Sequence, residues 1–74
     1  MIKLIIDAAK DNIFFMIIND NNIYSVTHEN SKINYEKLII LVNEFLNSYN
    51  LKISDINLMY INRGPGSFAG IRNS

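Results

Sequence analysis

The sequence predicts an α/β domain: a mixed sheet with helices packed on it, in the order β-β-β-α-β-α. Three observations carry this. Unbroken apolar runs, Leu4-Ile5-Ile6 and Ile13-Phe14-Phe15-Met16-Ile17-Ile18, read as strands buried on both faces. A later stretch has apolar residues at helical spacing, from Tyr35 to Tyr49. That stretch lies between the third strand and a fourth apolar run, so it serves as a helical crossover to the fourth strand. The chain has 74 residues, half of them hydrophobic, and a net charge of zero. A chain this small buries only ~60% of its unfolded surface, so its core is marginal. The charge balance offers no electrostatic case for nucleic acid or membrane binding. There is no cysteine, which excludes disulfides and thiolate metal sites. No run resembles a signal peptide or a membrane span, so the expected location is cytoplasmic.

The first strand is predicted over Lys3 to Ala8, with Asp7 at its C-terminal edge. Ala8 to Asn12 turns the chain into a second strand, Ile13 to Asn19. Asp20-Asn21-Asn22 is a hairpin loop, because Asn and Asp tolerate positive φ. Ile23 to His28 is a third strand. Ile23, Ser25 and Thr27 share one face, and Tyr24, Val26 and His28 the other, a mixed polarity that places it nearer the sheet edge. Asn34 is the predicted cap of a helix from Tyr35 to about Tyr49. Tyr35, Leu38, Ile39, Val42, Phe45, Leu46 and Tyr49 form its apolar stripe. Ile40 stands in the polar face and Leu41 at its margin; they are either single exposed apolar residues or contacts for a partner helix. Asn50 ends the helix, Ser54-Asp55-Ile56 makes a brief turn, and Asn57 to Asn62 is the fourth strand.

The segment Asn62 to Arg72 holds all three glycines and the only proline. Ser67 can cap a second helix there, so the expected path is strand, sharp turn, helix. Free N–H groups at such a junction suit an anion, which makes Gly64, Gly66, Ser67 and Gly70 candidate phosphate contacts. The alternative is a tight turn that needs glycine for its φ values. Gly64 to Ala69 satisfies G-x-G-x-x-A, but it follows the fourth strand rather than the first, and no Walker A lysine is present. Arg63 and Arg72 flank the turn and can meet phosphate or an acidic surface, or stay solvated. Asp7 ends a strand where sheet enzymes often place ligands, although such an Asp commonly caps a turn. His28 is the single histidine, which argues against a metal site. Ser67 lacks the G-x-S-x-G context of a hydrolase nucleophile.

Gly64-Pro65-Gly66-Ser67-Phe68-Ala69-Gly70-Ile71-Arg72 closely resembles the GPGSFTGLR signature of the TsaB family, once called YeaZ. It departs at Ala69, where the family has Thr, and at Ile71, where it has Leu. Glu36 to Leu46 is similar to the family's ERLLPLIDELL helix, and Ser54-Asp55-Ile56 to its Ser-Asp-Leu turn. Asp7-Ala8-Ala9 replaces the family's Asp-Thr-Ser and so lacks two hydroxyls. The resemblance covers nearly all of the chain and about the first third of a usual family member, so residues 1–74 are expected to be a truncated N-terminal domain or fragment.

The resemblance implies an actin-like ATPase (ASKHA, ribonuclease H-like) half-domain. It implies a non-catalytic dimerisation subunit of the complex that makes threonylcarbamoyladenosine in tRNAs reading ANN codons. Catalysis is then expected in a TsaD-like paralogue, with a TsaE-like ATPase joining. No cofactor is expected on this chain alone, and ATP and Mg are expected in the partner subunits. tRNA contact is expected to be indirect, and a homodimer stays open. The implied partner surface is the outward side of the Tyr35–Tyr49 helix with the helix after Ser67: Ile40, Leu41, Glu44, Phe68 and Ile71. The alternatives are a fragment of a nucleotide-binding phosphotransfer enzyme of the same fold, or a small self-associating α/β protein.

Overall fold

The computed structural model describes residues 1–63 and 68–72, with side chains over residues 1–63. A five-stranded mixed sheet runs in the order β3-β2-β1-β4-β5. Its strands are β1 (Ile2–Asp7), β2 (Asn12–Asn19), β3 (Asn22–Glu29), β4 (Leu58–Asn62) and β5 (Phe68–Arg72). β1, β2 and β3 form an antiparallel meander, β4 pairs parallel to β1, and β5 pairs antiparallel to β4. β3 lies at the sheet edge, as its mixed polarity predicts. Asp20 takes φ of 54° in the loop between β2 and β3, the positive value that a tight hairpin demands.

Two helices, α1 (Lys32–Glu36) and α2 (Leu38–Asn47), make the crossover from β3 to β4. They replace the single helix expected from Tyr35 to Tyr49. The helical start is earlier because Ser31 is the cap: its side chain accepts from the Asn34 N–H at 3.1 Å. Asn34 instead donates its amide to the Glu29 carbonyl at 2.9 Å, so it ties the helix to the end of β3. At Lys37 the backbone leaves helical geometry (φ −107°, ψ 31°) before α2 begins. That break changes which residues α2 buries. Leu41, Val42, Phe45 and Leu46 face the sheet, while Ile39, expected in the stripe, is 70% exposed. Asn50 ends the helical segment with φ of 59°, and the Leu51 N–H returns to the Leu46 carbonyl at 2.9 Å. A 3-10 turn, Ile53–Asp55, leads into β4.

The core lies between α2 and one face of the sheet. Leu4, Ile6 and Ala8 from β1 and its exit, and Ile13, Phe15 and Ile17 from β2, meet Leu41, Val42, Phe45, Leu46 and Ile56. Strand alternation sends these sheet residues to one side, since successive side chains point to opposite faces. Phe15 sits at the centre, fully buried, with its ring 5.9 Å from Phe45 and 5.7 Å from His28. Tyr24 and Tyr49 stack at 4.0 Å and close the β3 end of this layer.

The segment after the glycine turn differs from expectation. Phe68–Arg72 is a strand paired with Leu58–Asn62, not a helix opened by Ser67. Helix nucleation is costly and a helix of a few residues is marginal, whereas β4 offers a ready hydrogen-bonding edge. Ser67 itself lies outside the described residues.

Phe15→Ala is expected to cost about 3–5 kcal/mol, close to the whole stability of a domain this small. Far-UV circular dichroism under urea should show it largely unfolded, and Phe14→Ala, on the opposite face, should cost clearly less. Asn30 is the second test. Its amide donates to the Ala8 carbonyl at 3.1 Å and the Lys10 carbonyl at 2.7 Å. Asn30→Ala should cost about 1–3 kcal/mol in urea unfolding, with faster amide exchange in residues 8–11.

Candidate functional site

β1 and β4 run parallel, so their C-terminal ends fall together. Asp7 and Asn62 are register partners there. The Ala8 N–H extends the ladder to the Asn62 carbonyl at 2.7 Å. Asp7 Oδ1 accepts from the Ala9 N–H at 3.2 Å, an Asx turn that fixes the carboxylate over the strand end. The Asn30 amide holds the same turn from the other side through the Ala8 and Lys10 carbonyls. Arg63 follows Asn62 and is exposed. This is the edge at which α/β sheets receive ligands. Asp7 therefore has the turn-capping role weighed from the sequence.

Other candidate residues lie elsewhere. Gly64, Gly66 and Ser67 are outside the described residues. Gly70 pairs with Tyr60, and Arg72 pairs with Leu58 at the far end of β4 from Asn62. The backbone register therefore separates Arg72 from Arg63. Among the described residues no group of three metal-binding side chains gathers. No described helix is long and apolar enough to cross a membrane.

The outer side of the helical segment forms a second feature. Ile33 and Ile39 are 70% exposed and Ile40 is 57% exposed. Glu44, one turn after Ile40, is also exposed. Leu41, placed with them from the sequence, is only 8% exposed and belongs to the core. The break at Lys37 sets α2 so that Leu41, not Ile39, faces the sheet. Phe68 and Ile71, expected on a second helix, lie instead on β5.

Sequence reasoning missed a groove between β3 and α2. It has a volume of about 170 Å³ and is lined by Val26, His28, Leu41, Glu44, Phe45 and Ser48. The His28 ring tilts 59° against Phe15. The Ser48 hydroxyl donates to the Glu44 carbonyl at 2.9 Å, which removes it as a free donor. The available signal was the shared face of Tyr24, Val26 and His28. The lining is mostly apolar, so the groove suits an aliphatic or aromatic side chain better than a charged ligand.

No protein-family model matches the chain, and no curated protein does. Solved structures do. YeaZ from Pseudomonas aeruginosa matches with a TM-score of 0.74 at 17% identity, over 89% of this chain and 31% of that one. A structure described as an uncharacterized protein with similarity to peptidase YEAZ from Pseudomonas aeruginosa matches with the same TM-score, identity and coverage. The chain thus spans about a third of the length of the structures it resembles. At this identity the likeness is one of fold: the chain shares the mixed-sheet α/β architecture of part of these structures.

Proposed function

We propose that this chain is the partner-binding part of a non-catalytic TsaB-like subunit in the complex that makes threonylcarbamoyladenosine in tRNA. In this reading it docks on a TsaD-like paralogue, which carries the catalysis, and a TsaE-like ATPase joins that pair. ATP and Mg belong to those partners, and tRNA is met through them.

Two findings support the reading. The fold matches YeaZ over 89% of the chain. The segment Gly64 to Arg72 resembles the family signature in sequence. The observation that carries it is the outer side of α1 and α2, where Ile33, Ile39 and Ile40 stand exposed. Isolated exposed apolar residues are ordinary, but three strongly exposed isoleucines within eight residues of the helical segment, two of them adjacent on α2, favour an apolar contact. An interface centred there needs an apolar helix from the partner, with Glu44 at its polar rim.

The test is capture of a purified TsaD-like protein. Ile40→Asp is expected to weaken binding at least tenfold, roughly 1.4 kcal/mol, with an unchanged far-UV spectrum because the residue lies outside the core. A folded variant that binds like the parent chain removes this surface from the interface.

A further inference from the structure

We draw no further inference here: the strongest candidate, the mostly apolar groove between β3 and α2 beside His28, carries nothing because the chain spans about a third of the structures it resembles and nothing in the structure shows what covers the groove.

Discussion

The parallel pairing of β1 with β4 is the contact on which the rest of this fold depends. The three-stranded meander forms from neighbours in sequence, but β4 must return across the whole helical segment to reach β1. Asn57 secures the start of that return. Its side-chain carbonyl accepts from the Ile2 N–H at 2.8 Å, and its own N–H donates to the Ile2 carbonyl at 2.8 Å. Ala8 and Asn62 close the other end of the ladder at 2.7 Å. Between them α2 is held over the sheet, because a crossover joining parallel strands has to lie on one face. Loss of this pairing would leave the Leu41, Val42, Phe45 and Leu46 side of α2 with only part of its floor.

The same pairing makes the candidate site. The C-terminal ends of β1 and β4 meet because the two strands run in parallel, and that is where Asp7 and Asn62 come together. The turn around them is stiffened from a distance in sequence by Asn30, which binds carbonyls before and after the bend. A polar residue in a loop after β3 thereby fixes the geometry of the turn after β1.

Much of this was legible in the sequence. Apolar runs located the four strands ahead of the glycine turn, the alternation of Ile23 to His28 placed β3 at the edge, and Asn50 marked the helix end. What could not be read came from competition between equivalent local signals. Ser31 and Asn34 are both good caps, and only the tertiary bond from Asn34 to Glu29 decides between them. The break at Lys37 has no Gly or Pro to announce it, yet it exchanges Ile39 for Leu41 in the core. The glycine turn reads as strand to helix by motif, and the availability of the β4 edge makes Phe68–Arg72 a strand instead. At the site, Asp7 was identifiable as a strand-ending acid, but the groove beside His28 depends on how far β3 and α2 stand apart, which no spacing encodes.

The continuous apolar runs of β1 and β2 hold one more lesson. A strand that alternates advertises one wet face; a strand that does not calls for cover on both. α2 covers one face, and Ile5, Phe14, Met16 and Ile18 remain half-exposed on the other. Among the described residues no helix covers them. Polar replacements there would be cheaper, as they are in antiparallel sheets that face water. Lys3 and Asp7 sharpen the point, because each is a charge on the central strand of the sheet, where a neutral residue would cost less. Asp7 has a local reason, its bond to the Ala9 N–H. Lys3 has none among the described residues, so the β1 face opposite α2 carries one charge with a local partner and one without.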